Sequence, residues 1–163
     1  MSSYGDFCLM FRKQPDAVAM VKGEPKRPEV NGRVFFYNCN GAVMVRAEID
    51  GLLKGRGDCD APIFAFHIHS GGRCTGDAAD PFLNVGGHYN PNTCPHPFHS
   101  GDMPPLFSAG GRAFLIFLTD RFTVPEILGK TVIIHGGPDD FTTQPSGNAG
   151  EKIACGIITP AKT

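Results

Sequence analysis

Val34-Phe-Phe-Tyr-Asn-Cys-Asn-Gly-Ala-Val-Met-Val-Arg-Ala-Glu-Ile49 is the stretch from which the fold class can be read. Asn40-Gly41 divides it, and this pair most readily takes positive φ at both central positions of a type I′ turn, whose twist suits two antiparallel strands. A hairpin with strands over 34–39 and 42–49 follows. In its second strand Val43, Val45, Ala47 and Ile49 share one face while Met44, Arg46 and Glu48 share the other. That is the period-2 pattern of a half-buried antiparallel strand.

The same grammar runs outward in both directions. Toward the N-terminus, Ala17 to Val21 is a short apolar run closed by Lys22-Gly23, and the prolines of Glu24-Pro-Lys-Arg-Pro28 forbid a helix after it. Residues 1–14 read as a tail or irregular edge. Toward the C-terminus, a glycine-rich connection over 51–60 leads to Ile63–His69, with Phe64, Phe66 and Ile68 on one face and Ala65, His67 and His69 on the other. The aromatic face is the core face, so the histidines point to whatever covers the outside of the sheet. Ser70 to about Gly110 reads as one long loop, far beyond the usual length of a connection, and such loops carry function or are disordered. Ala113–Leu118, Thr131–His135 and Ile153–Ile158 are further short strands, and 136–150 is a second irregular loop. Thr123-Val-Pro-Glu126 reads equally as one helical turn or as strand and turn. No twelve-residue amphipathic helix is present. Seven or eight short strands between turn signals make the chain an all-β barrel or sandwich, with one domain expected over 1–163.

Composition narrows the function classes. Fifteen basic against sixteen acidic residues among 163 leave a formal charge of -1, so neither a nucleic-acid polycation nor an acidic tail is indicated. No apolar run approaches the ~20 residues that span a bilayer. The opening Met-Ser-Ser-Tyr-Gly-Asp has no basic segment leading into an apolar core, so a cytoplasmic protein is expected unless a leader has been removed. Cys8, Cys39, Cys59, Cys74, Cys94 and Cys155 pull mildly toward an oxidising compartment, and none forms a CxxC pair.

The histidines carry the chemistry. Five of the six fall in one stretch, as His67-Ile-His69, His88, His96 and His99, with Asp102 close behind; the sixth, His135, ends a strand. On a strand, positions i and i+2 share a face about 7 Å apart, so His67 and His69 can approach one metal together. His88, His96, His99 and Asp102 make three imidazoles and a carboxylate, an ordinary tetrahedral zinc set. Seven candidate ligands exceed what one zinc takes, so two metals or a shared ligand are the economical reading.

At this point the residues resemble a family. Ala65-Phe-His67-Ile-His69, Gly87-His88-Tyr-Asn-Pro91, His99-Ser-Gly-Asp102, Thr131-Val-Ile-Ile-His135 followed by Asp139, and Gly147-Asn-Ala-Gly150 before Ala154-Cys155-Gly156 follow the order of bacterial-type copper/zinc superoxide dismutase across residues 17–159. The resemblance implies an eight-stranded Greek-key β-barrel with two long metal-site loops. It implies copper on His67, His69, His88 and His135, and zinc on a bridging His88, His96, His99 and Asp102. Asp139 would link one copper histidine to one zinc histidine, here His67 and His96, and Cys74 and Cys155 would form the loop-anchoring disulfide. The implied activity is dismutation of superoxide to O₂ and H₂O₂, with His88 taking part in proton uptake. A homodimer is within the family's habit; no nucleic acid or membrane partner is implied.

Two departures stand out. Lys152 occupies the place of the family's substrate-guiding arginine, which keeps the charge but loses the forked donors, and Glu151 beside it can partly cancel the field. His96 and His99 lie closer together than the family's two zinc histidines, with Pro95 and Pro97 stiffening the segment, so weaker zinc binding or an altered geometry is expected. Cys8, Cys39, Cys59 and Cys94 read as thiols, with Cys59 and Cys94 able to meet only if the long loop returns to the His-x-His strand. Arg73, Arg112 and Arg121 are candidates for a steering field, although solvated surface arginines are the plainer reading. The competing functions are a non-enzymatic copper- or zinc-binding protein on the same fold and, less well supported, a mononuclear zinc hydrolase, for which no HExxH pairing exists.

Overall fold

A computed structural model describes residues 13–57 and 62–162. Eight strands carry the chain: β1 (Ala17–Gly23), β2 (Asn31–Cys39), β3 (Ala42–Asp50), β4 (Ile63–His69), β5 (Asp102–Phe107), β6 (Ala113–Thr119), β7 (Thr131–His135) and β8 (Lys152–Pro160). They form one antiparallel sheet in the order β5-β4-β7-β8-β1-β2-β3-β6. The edge strands β5 and β6 lie against each other, so the sheet curls into a nearly closed barrel. The β3-to-β6, β4-to-β7 and β8-to-β1 neighbours make it a Greek key.

Local chemistry accounts for these elements. The Asn40-Gly41 turn has φ of 43° and 92°, both positive, and joins β2 to β3 in a continuous register from Cys39 opposite Ala42 to Asn31 opposite Asp50. Val43, Val45, Ala47 and Ile49 of β3 meet Val34 and Phe36 of β2 and Phe64, Phe66 and Ile68 of β4 in the barrel interior. Thr123-Val-Pro-Glu126 resolves as a helical turn, α1 (Val124–Ile127), because Thr123 and Glu126 close a reciprocal capping box and Pro125 falls in the first turn, where no N–H is needed. Ile127 is fully buried in the same core.

One expectation is corrected. The long loop after His69 is not featureless to Gly110, because β5 lies within it. Pro104 and Pro105 hid that strand, yet prolines are tolerated at an edge or a bulge, and β5 is both: Phe66 pairs with Met103 and Phe64 with Leu106, so the two prolines oppose Ala65 alone. On the other side of β4, the Ala65 N–H donates to the carbonyl of Gly137, just past β7, at 2.8 Å.

The outward faces of β4 and β7 are buried as thoroughly as the inward ones. The loops over 70–101 and 136–151 therefore act as a second layer over this side of the barrel. They are tied down by the Cys74–Cys155 disulfide, with a Cα–Cα distance of 5.7 Å, and by a small apolar cluster of Phe82, Val85, Ile133 and the two cysteines.

Candidate metal centre

Two strands and two loops deliver the histidines. His67 and His69 stand two residues apart on the outer face of β4, and His135 ends β7, whose antiparallel pairing with β4 brings it alongside. His88 belongs to a loop stitched onto β4: it forms an isolated bridge with His69, and the next residue, Tyr89, donates its N–H to Ile68 O at 2.8 Å. A tight turn, in which the Phe98 N–H donates to Pro95 O at 2.8 Å, brings His96 and His99 to the same place despite their short spacing. Asp102 opens β5, opposite His67.

The side chains sort into two sets. In each of His67-His69-His88-His135 and His88-His96-His99-Asp102, one donor atom per residue lies within 4.8 Å of every other. His88 belongs to both. Its Nδ1 faces one set, 2.7 Å from Asp102 Oδ1 and 3.3 Å from His99 Nδ1, while its buried Nε2 has no hydrogen-bond partner.

Hydrogen bonds on the far side of the rings decide which nitrogens are bare. Asp139 accepts from His67 Nε2–H and from His96 Nε2–H, each at 2.8 Å, which makes Nδ1 the free nitrogen of the neutral tautomer in both rings, and both Nδ1 atoms are buried without a hydrogen bond. His69 Nδ1–H donates to Gly86 O at 2.8 Å and His135 Nδ1–H to Gly150 O at 3.2 Å, which leaves their Nε2 atoms facing each other at 3.3 Å. His96 Nδ1 and His99 Nδ1 lie 3.1 and 3.2 Å from Asp102 Oδ2. Acceptors converging this closely repel unless a cation stands among them, so a metal is what the donor set fits, and its buried orphan nitrogens are the direct sign. Imidazole and carboxylate suit zinc, and an all-imidazole set suits copper.

Burial also sets the charge state. Desolvation lowers the pKa of His67 and drives that of His69 well down; His135 is lowered to about 3 by burial, aided by the neighbouring His67. These rings are neutral at physiological pH. Asp139 and Asp102 stay ionised: burial opposes it, but hydrogen bonds from His67 and His88 respectively outweigh that cost.

Gly147 makes room for this arrangement. At φ +69° it comes so close that a Cβ there would fall 2.0 Å from Asp139 Oδ1 and 2.7 Å from His96 Nε2. Gln144 clasps the same ring's backbone, accepting from His96 N–H at 3.0 Å and donating to His96 O at 2.7 Å. Neither role is visible from sequence spacing.

An open cleft of about 630 Å³ reaches the first set from solvent, with His69, His88 and His135 at its base and Lys152 in its wall. The Lys152 ammonium is bonded to Asp80, and Glu151 pairs with Arg27, which also lies 3.7 Å from Glu24. Of the candidate steering arginines, Arg121 instead donates from Nη1 to the carbonyls of Pro97, His99 and Asp102 at 3.0, 3.4 and 3.3 Å, and Arg112 pairs with Asp50 on the surface. Arg73 is exposed. Cys94 is a thiol, Cys39 Sγ lies 3.4 Å from Tyr37 O, and Cys8 and Cys59 fall outside the described residues.

Residues 30–158 match the profile of the copper/zinc superoxide dismutase (SODC) family. The chain is 30% identical over 145 residues to superoxide dismutase [Cu-Zn] 2 of Aquifex aeolicus, covering 80% of each. It is 31% identical over 148 residues to superoxide dismutase [Cu-Zn] 1 of that organism, covering 82% of each. With superoxide dismutase [Cu-Zn] of Photobacterium leiognathi it shares 36% over 115 residues, which is 62% of this chain and 66% of the relative.

Proposed function

Because this chain belongs to the copper/zinc superoxide dismutase family and is a superoxide dismutase, we propose that His67, His69, His88 and His135 hold its copper and that His88, His96, His99 and Asp102 hold its zinc. The observation that carries the assignment is the position of His88, with one ring nitrogen turned to each set and the outer one left without a partner. Bound copper supplies the one-electron chemistry that turns two superoxide ions into O₂ and H₂O₂, while zinc, without redox chemistry, organises its loop.

The remaining work falls to the chain's own groups. Asp139 orients two rings with one carboxylate, so His67 on the strand and His96 in the loop cannot turn independently. The Gly86 and Gly150 carbonyls do the same for His69 and His135. His88 Nε2 is the ring atom on which a proton for the peroxide product can rest, since no other hydrogen-bonding group competes for it. Lys152, in the cleft wall, is the cation we assign to guiding the superoxide anion toward His69, His88 and His135.

The disulfide favours an oxidising compartment and weighs against the cytoplasmic expectation. No helix among the described residues is long and apolar enough to cross a membrane.

Two measurements test the reading. Protein loaded with copper and zinc should accelerate superoxide decay, and no acceleration over buffer would sink the enzyme. Metal analysis should find about one copper and one zinc per chain, and His88→Ala should weaken both; copper binding that survives unchanged would show that His88 is not shared.

A further inference from the structure

The cleft is not the positive funnel that an anionic substrate would favour. Its lining carries Glu24, Asp80 and Glu151 against Lys26 and Lys152, with Arg27 paired to Glu24 and Glu151 beside it. Within that balance one pair is placed differently from an ordinary surface ion pair. The Lys152 ammonium and the Asp80 carboxylate are 20% and 31% exposed, and each is anchored in rigid structure. Lys152 opens β8, three residues before the disulfide cysteine Cys155. Asp80 is held by its own turn: its Oδ1 accepts from Phe82 N–H at 3.0 Å and its carbonyl from the N–H groups of Asp77 and Leu83 at 3.0 and 3.1 Å. Asp80 also sits in the loop that begins at Cys74, the other end of the same disulfide. A mobile surface pair exchanges freely with water, whereas this one joins two fixed supports.

From this geometry we propose that Asp80 is a positioning residue for substrate entry: it tethers and neutralises Lys152, so that an approaching superoxide ion meets a dipole in the cleft wall instead of a free cation. The inference rests on the reading of Lys152 as the guiding charge. A dipole's potential falls off faster with distance than a single charge's, so the pair attracts an anion only at close range. Lysine suits this role because its ammonium is a compact charge on a flexible stem, which one carboxylate can hold aside. Removing the Asp80 charge would leave the Lys152 ammonium as an unneutralised cation in the cleft wall. One unit charge about 7 Å from the anion's path in water-like dielectric corresponds to roughly a threefold change in encounter rate.

The test compares wild type, Asp80→Asn, Lys152→Met and the double variant, all loaded with copper and zinc. The second-order constant for superoxide decay is measured at low salt and at about 0.5 M salt, where exposed charges are screened. Azide affinity, read from the copper absorption band, reports entry of a small anion independently of turnover. Asparagine keeps the carbonyl that accepts from Phe82 N–H, and Asp80→Ser, whose hydroxyl can also accept, serves if Asp80→Asn folds poorly by melting. Asp80→Asn should raise the low-salt constant and the azide affinity about threefold, lose that gain at high salt, and have little effect in the Lys152→Met background. Unchanged or reduced values at low salt overturn the proposal, as does an equal gain without Lys152. If the wild type fails to dismutate superoxide while the azide shifts appear, the functional reading falls and the tether stands.

Discussion

Asp139 shows how much one side chain decides here. Its two oxygens fix two imidazoles on different elements, and it fits only because Gly147 has no side chain. Gly147→Ala should therefore push Asp139 and His96 apart. Because partners behind metal ligands typically govern affinity by 10- to 100-fold, zinc affinity should fall by at least about tenfold while the barrel stays folded. Chelator competition checks the first part and circular dichroism the second. The histidines make a second prediction at this scale. His67, His69 and His135 are depressed from an ordinary value of 6.5, His135 to about 3. A base whose folded pKa lies below its unfolded one stabilises the fold above the unfolded pKa and loses that stabilisation as pH falls toward the folded one. The metal-free protein should accordingly melt at progressively lower temperature from about pH 6.5 downward. A melting temperature that stays flat between about pH 7 and pH 4 would show that these rings are not held neutral.

At the scale of elements, the strands follow from alternation and the loops do not. The Asn40-Gly41 turn and the apolar faces of β2, β3 and β4 are legible because turn chemistry and a period of two residues are local properties. β5 was hidden because its prolines are permitted only by its place at the sheet edge, and that place depends on β4. The 95–99 segment is similar. Its short His96–His99 spacing suggested a poor zinc set, yet the Pro95–Phe98 turn gathers both rings, and Arg121, arriving from beyond β6, holds the segment from behind through three carbonyls. Two of those carbonyls belong to His99 and Asp102, both proposed zinc ligands. Arg121→Ala should lower zinc affinity about tenfold and leave copper affinity nearly unaltered, with partial recovery in Arg121→Lys; equal losses of both metals would assign Arg121 to general stability. This arginine, read from sequence as a solvated surface charge or a steering candidate, is tied to three backbone carbonyls.

For the whole molecule, the decisive feature is a layer of loop over a barrel. The Cys74–Cys155 bond closes 81 residues of chain and fastens that layer to β8. On chain-entropy grounds its removal costs about 4–5 kcal/mol. The double substitution Cys74→Ser with Cys155→Ser should lower the urea midpoint of the metal-loaded protein correspondingly; a loss below about 1 kcal/mol would mean that the metals and the apolar cluster around Ile133 hold the loop unaided. The same layering forms the cleft whose wall carries Lys152 and Asp80, residues 72 positions apart in sequence.

By itself the sequence determined the all-β class, the hairpin and the seven candidate ligands, and its resemblance to the family implied the cysteines of the disulfide. Each is written in local periodicity, in turn residues or in the order of motifs. Only the tertiary structure decided which nitrogen of each ring is bare, what gathers the 95–99 turn, where β5 runs and what the Lys152 ammonium holds. Those depend on groups such as the Gly86 carbonyl, Gly147, Asp80 and Arg121, which lie far along the chain from the side chains they control. Residue type says what an imidazole can bind; the atoms packed behind it decide which of its two nitrogens does so.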